Sequence, residues 1–280
     1  MNYLGVLLCA GLLALVCPAS AQTSQECALK APLEEAVNRY LEGSRVSYSG
    51  TLLVEYAGER EFIEVASGSG GVGSQLRRLN VLPDGRSQLV TTRPPDTRDA
   101  CSLNPYYSFG VEPGRPVAGR ATYRLTVRPR DTLRFTQILD VDIESRVALR
   151  GLTVNPDGSI LERYEFARID IGPGAPVAAP EAPSDPTRYQ FNALPPGFRI
   201  IQEGRDPVDF MVLSDGLATA SVYVESQPRS LPSGEGVVLR GATLTYTRGS
   251  AASLLITVVG EVPVATARLL AQSVRIAGKS

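Results

Sequence analysis

The chain of 280 residues carries 28 Lys+Arg against 29 Asp+Glu, with no His and no Trp. A charge this close to balance excludes broad electrostatic binding to nucleic acid, which draws on a strong basic excess. Without His there is no Ser-His-Asp triad, Cys-His dyad or His-ligated metal, and with Lys30 and Lys279 as the only lysines a Schiff-base or Ser-Lys mechanism has almost no candidates. Composition therefore favours binding over chemistry, and 43% apolar with 20% charged residues indicates a globular bulk.

The first 21 residues read as a secretory signal cleaved after Ala21. Residues 4–16 form an apolar run, and Ala19-Ser20-Ala21 follows the turn-forming Pro18. The alternative is an uncleaved anchor, but 13 apolar residues fall short of the ~20 that span a bilayer. Export removes Cys9 and Cys17 and leaves Cys27 and Cys101 as an even pair in an oxidising compartment. A single disulfide between them is the preferred reading, and two unpaired thiols is the other.

Residues 32–42 place Leu33, Val37, Tyr40 and Leu41 on one helical face, ended by Gly43. Strands follow at 46–56, 61–65, 75–82 and 87–91, the last two separated by a Pro83-Asp84-Gly85 turn. Three more are expected at 122–127, 132–141 and 147–154. After the Asn155-Pro156-Asp157-Gly158 turn, 159–171 continues the sheet. One helix with a meander of antiparallel strands predicts a curved sheet wrapped around, or capped by, that helix. Residues 172–186 hold five prolines in 15 positions and read as an extended linker. Beyond it, strands are expected at 198–202, 211–214, 219–225, 242–248 and 253–259, with a short helix at 266–274.

Gly68-Ser69-Gly70-Gly71-Val72-Gly73 matches GxGxxG by letter. A dinucleotide site needs a helix opening after the glycines, whereas strand-like sequence follows here, so a hairpin loop is the reading. Arg120, Arg124, Arg128, Arg130 and Arg134 form a series suited to anions, because guanidinium donates paired hydrogen bonds. Arg124 and Arg128 share a strand face if pairing runs through Pro129. An ordinary solvated face is the bland alternative. The carboxylates Asp140/Asp142, Glu165/Asp170 and Asp206/Asp209 have no spacing that selects an acid–base pair. Tyr106, Tyr107 and Phe109 form an aromatic cluster fit for an apolar ligand or for a core.

Several stretches together resemble the RseB/MucB family of periplasmic regulators. They are Ser47-Tyr48-Ser49-Gly50-Thr51, Leu103 to Phe109 with Val117-Ala118-Gly119-Arg120, and Arg128 to Phe135 followed by Asp142-Ile143-Glu144-Ser145. Leu194-Pro195-Pro196-Gly197-Phe198, Leu213 to Ala218, Val222-Tyr223-Val224 and Ile256 to Pro263 then occur in the family's order. Tyr189 and Phe191 stand where the family usually carries Trp.

The resemblance implies an α+β, mostly antiparallel fold. Residues 22–171 would form a LolA/LolB-like unclosed β-barrel with a helix plug. Residues 172–187 would be the linker, and 188–280 a smaller mixed α/β domain. It implies a non-enzymatic periplasmic regulator without cofactor or metal. Such a protein binds the periplasmic part of an RseA/MucA-type anti-sigma factor and shields it from site-1 proteolysis. Lipopolysaccharide or lipoprotein acyl chains release it. The alternative is a lipid or lipoprotein carrier of LolA/LolB type. Tyr106, Tyr107, Phe109, Arg124 and Arg128 are the expected lipid-binding residues; Leu213, Ser214, Asp215, Val222 and Tyr223 are the expected partner-binding ones. No nucleic acid is expected, and a homo-oligomer is compatible with the sequence.

Overall fold

The structure, a computed structural model, describes residues 29–43, 46–67, 79–81, 87–89, 98–172, 185–205, 207–226, 234–249 and 253–277. The expected signal segment, Cys27, the glycine-rich loop, Asp206 and residues 173–184 of the linker lie outside these. Among the described residues, no helix is long and apolar enough to cross a membrane.

In chain order the elements are α1 (Ala31–Gly43), β1 (Tyr48–Tyr56), β2 (Glu59–Ser67), β3 (Leu79–Val81), β4 (Ser87–Leu89), α2 (Ala100–Leu103), β5 (Tyr107–Pro113), β6 (Thr122–Pro129), β7 (Thr136–Asp142), β8 (Ala148–Val154) and β9 (Ile160–Ile171). They continue as β10 (Tyr189–Phe191), β11 (Arg199–Arg205), β12 (Asp209–Ser214), β13 (Thr219–Ser226), β14 (Glu235–Arg240), β15 (Thr243–Gly249), β16 (Leu254–Gly260), α3 (Val264–Ser273) and β17 (Val274–Ile276).

The first large sheet has seven strands in the order β2-β1-β9-β8-β7-β6-β5, so it is open, with β2 and β5 as its edges. Consecutive strands β5 to β9 form the expected meander, and the β1–β2 hairpin joins through β1 to β9. In β1 the even positions Tyr48, Gly50, Leu52, Val54 and Tyr56 are buried while the odd ones are not. This period-2 alternation is that of a sheet with one face on a core. Val37 of α1, fully buried, packs with Leu103, Tyr107, Leu125, Val127 and Val141. The helix thus covers part of the inner face, as its single apolar stripe requires.

The second sheet has six strands in the order β11-β12-β13-β16-β15-β14 and a core of its own. α3 lays Ala267, Leu270 and Ala271 on Met211, Val222, Leu244, Tyr246 and Val258. The hairpin β14–β15 closes with Gly241-Ala242. Gly241 sits at φ 59°, which fits the glycine-first two-residue turn that matches strand twist.

Several boundaries differ from the sequence reading for physical reasons. β7 starts at Thr136 rather than at residue 132, because the Asp131 carboxylate accepts from the Leu133 N–H at 2.9 Å and bends the chain. The aromatic cluster Tyr107–Phe109 is itself strand, the start of edge β5. β14, β10 and β17 are additional strands, and the last helix begins at Val264 and ends before Val274, which pairs with Phe191.

Candidate functional site

Among the described residues, two arrangements concentrate polar chemistry. The first joins the two sheets. Arg134 has no exposed surface, and neither has Asp215. The Arg134 Nε donates to Asp215 Oδ2, while its Nη1 donates to Asp131 and its Nη2 to the Pro196 carbonyl. Its guanidinium lies 5.3 Å from the Tyr106 ring centre, 5.4 Å from Tyr107 and 5.1 Å from Phe198. Three aromatic faces thus surround one cation. The Tyr107 hydroxyl donates to Asp215 Oδ2 at 2.8 Å. Burial, with the Asp215 charge beside it, holds the Tyr107 pKa well above its ordinary value.

The sequence builds this hub from turns. Asp215 caps the β12–β13 turn, with Oδ1 accepting from the N–H of Leu217 at 3.0 Å and of Ala218 at 2.8 Å. That leaves Oδ2 for Arg134 and Tyr107. Leu217 at the turn tip packs on the core of the first sheet. On the other flank, Gly197 at φ 81° lies under the Tyr106 ring, where a Cβ would collide with it. The Thr266 hydroxyl, at the start of α3, donates to the Leu133 carbonyl. A second seam lies at the β14–β15 turn. Arg240 donates to the Tyr56 hydroxyl at 2.9 and 2.6 Å, and the Ala242 N–H donates to Glu162 at 3.1 Å.

The second arrangement is a charged row. Glu112, Arg124, Asp140, Arg150 and Glu165 are successive in-register partners across β5 to β9, so their side chains share one face with alternating sign. Asp140, almost fully buried, accepts from Arg124 and from Arg150, each at 2.9 Å. Burial alone would raise its pKa, but the two arginines outweigh burial and hold it below the ordinary carboxylate range. Asp142 is lowered in the same way by Ser145 and Arg120, and Asp209, bound by Arg188, behaves alike.

The sequence-derived site residues fall as follows. β6 does run through Pro129, so Arg124 and Arg128 share a face, but only Arg128 is exposed; Arg124 is bound to Asp140. Tyr107 is committed to Asp215, Tyr106 to Arg134, and Phe109 packs on the first core. Leu213, Ser214, Asp215 and Val222 are buried, and as folded they present almost no surface to a partner; Tyr223 is partly buried. Arg134 was only one member of an arginine series in the sequence. Its placement between Leu133 and Phe135, a cation inside an apolar stretch, is the local signal for a buried partner. Cys101 is disulfide-bonded.

Residues 78–187 match the MucB/RseB N-terminal domain, and residues 183–275 match the MucB/RseB C-terminal domain. The chain belongs to the MucB/RseB family. It is 28% identical to the sigma factor AlgU regulatory protein MucB of Pseudomonas aeruginosa, covering 85% of this chain and 89% of that protein. It is also 28% identical to the sigma-E factor regulatory protein RseB of Escherichia coli, over 62% of this chain and 60% of that one. Among solved structures, the MucA/MucB complex of Pseudomonas aeruginosa superposes with a TM-score of 0.64 at 25% identity, covering 89% of this chain and 100% of that chain. MucB in complex with MucA(peri) gives 0.62 at 26%, covering 88% of this chain and 100% of that chain. The mostly antiparallel, unclosed fold expected from the sequence is the one observed.

Proposed function

We propose that this protein is an exported, periplasmic, non-enzymatic regulator that binds the periplasmic part of an RseA/MucA-type anti-sigma factor. In this reading it shields the anti-sigma factor from site-1 proteolysis, and lipopolysaccharide or lipoprotein acyl chains release it. The observation that carries the reading is the likeness to MucB bound to MucA(peri) over 88% of this chain, which spans both sheets and not the first alone. The joint between the sheets supports it further. A carrier of lipid or lipoprotein would need only the first sheet, yet here Arg134 of that part finds its charge partner, Asp215, in the other. Removing residues 188–280 would take from Arg134 the Asp215 carboxylate, the Pro196 carbonyl and the Phe198 ring together, so the two parts are built to work as one.

The test is fluorescence anisotropy with the mature full chain and the labelled periplasmic region of the anti-sigma factor from the same genome. Saturable binding that lipopolysaccharide reverses, together with slower cleavage of that region by the site-1 protease, is the expected result. Absence of binding into the high micromolar range, with lipid co-purifying, would instead favour the carrier.

A further inference from the structure

Each large sheet has two edges, and an edge is a row of unpaired N–H and C=O groups that native proteins usually protect. Among the described residues, three of the four edges carry such devices along their length. β2 carries the exposed charges Glu59, Arg60 and Glu61. β5 contains Gly110 and Glu112 and ends at Pro113. β11 has a register irregularity between Ile200 and Gln202, and Asp185 bridges to Arg205 at its end.

Among the described residues β14 has no proline and no register irregularity, and its charges stand only at its two ends. Its six residues, Glu-Gly-Val-Val-Leu-Arg, pair with β15 in unbroken register. Val237, Val238 and Leu239 are 46%, 61% and 49% exposed, three large apolar side chains in succession. Its two charges are already engaged, Glu235 with Arg268 at 3.0 Å and Arg240 with the Tyr56 hydroxyl. Val237 and Leu239 pair with Tyr246 and Leu244, which are core residues, so they prolong the core face past the strip that α3 covers. The Gly249 N–H donates to the Gly234 carbonyl, which fixes the alternation. Residues 236, 238 and 240 then bond toward β15, and the main-chain groups of 235, 237 and 239 point away from it.

We propose that β14 is the docking edge for an extended, alternately apolar segment of the anti-sigma factor, which adds to the second sheet as a seventh strand. This rests on the regulatory reading above. A second copy of this chain fits less well. Two six-residue strands pair over only ~20 Å, and they would bury well under the roughly 1,000 Å² that a stable protein interface clears. A long partner chain can pair here and continue over other surfaces. Strand addition supplies affinity through the main chain, and Val237 and Leu239 select apolar side chains at alternate positions. The Arg240–Tyr56 and Ala242–Glu162 bonds hold the base of this edge against β1 and β9, so the first sheet sets how it is presented.

The experiment uses the mature full chain, the labelled periplasmic region of the anti-sigma factor, and the variants Val237→Pro and Leu239→Lys. Val237→Pro removes an outward N–H without taking a bond from the hairpin. Both variants should keep the wild-type melting midpoint and bind at least about 30-fold more weakly. In the wild-type complex the amides of residues 235, 237 and 239 should exchange at least about tenfold more slowly than in the free protein, and this reading decides the matter if a variant fails to fold. Unchanged affinity and unchanged exchange would overturn the edge while leaving the regulatory reading intact. No binding by the wild type would overturn both. A wild-type dimer that Val237→Pro dissociates, with affinity for the anti-sigma region unaltered, would overturn the peptide as occupant in favour of a second copy.

Discussion

The hub at Arg134 and the charged row through Asp140 use the same residue types for different ends. In the row, the partners sit opposite one another on neighbouring strands, Arg124 and Arg150 keep part of their surface in water, and further acids stand within reach, Glu112 at 3.6 Å from Arg124 and Glu165 at 3.5 Å from Arg150. Losing one member leaves the others with alternatives. In the hub, Arg134 and Asp215 are both fully buried and lie 81 residues apart. Their desolvation is offset only by each other, by Asp131, by the Pro196 carbonyl and by three rings. Such a pair adds little net stability but becomes costly when one partner is removed. It therefore specifies how the two sheets dock.

The largest effect should come from breaking the hub. Asp215→Ala leaves Arg134 with Asp131 as its one carboxylate partner among the described residues and also removes the cap of the β12–β13 turn. A loss of about 3–5 kcal/mol is expected, read as a lower denaturant midpoint. The double variant Arg134→Met/Asp215→Ala should recover a large part of that loss, because the buried cation is gone and the part-exposed Asp131 keeps access to water; equal loss in the double variant would show that the turn cap, not the ion pair, dominates.

The row should give a smaller and pH-dependent effect. Asp140→Asn should cost about 1–2 kcal/mol, the scale of hydrogen bonds to a charged group. The folded-state pKa values of Asp140, Asp142 and Asp209 lie below their ordinary 3.8, so their stabilisation is complete above that value. It is lost as the pH falls through the lower folded values. Chemical denaturation followed downward from neutral pH should therefore show a plateau and then a fall, and Asp140→Asn should make the fall shallower. An identical acid limb in the variant would remove Asp140 from the account.

The smallest effect belongs to Arg128, which is exposed on the same face as the row. Arg128→Ala should change stability by no more than about 0.5 kcal/mol. This makes it the clean variant for asking whether that face binds lipid phosphate. Weaker binding to lipopolysaccharide vesicles at unchanged stability would assign Arg128 to the ligand, and unchanged binding would leave the face purely structural.

Much of the architecture was legible in local pattern. Strand-like stretches marked β1, β6 and β13, turn residues marked the Asn155–Gly158 reversal, and a single apolar helical face marked α1. The elements missed were those that local pattern does not define. β5 includes Gly110, Glu112 and Pro113, poor strand formers that an edge position tolerates. β10 and β17 are three residues each and exist only through pairing with one another. The site was less legible than the fold. Leu213 to Ala218 stood out only as a family-like stretch with expected partner-binding residues, and the structure builds there a turn whose carboxylate also holds Arg134.

The sequence alone determined the balance of charge, the lack of histidine chemistry, most of the longer strands and their turns, and the likeness to the MucB/RseB family, because each follows from residue identity or from contacts within a few positions. Tertiary structure decided which arginine is buried, which acids neutralise the others, and which strands stand at the sheet edges. Those outcomes depend on desolvation and on the order of strands in a sheet, and both are set by residues far apart in the chain.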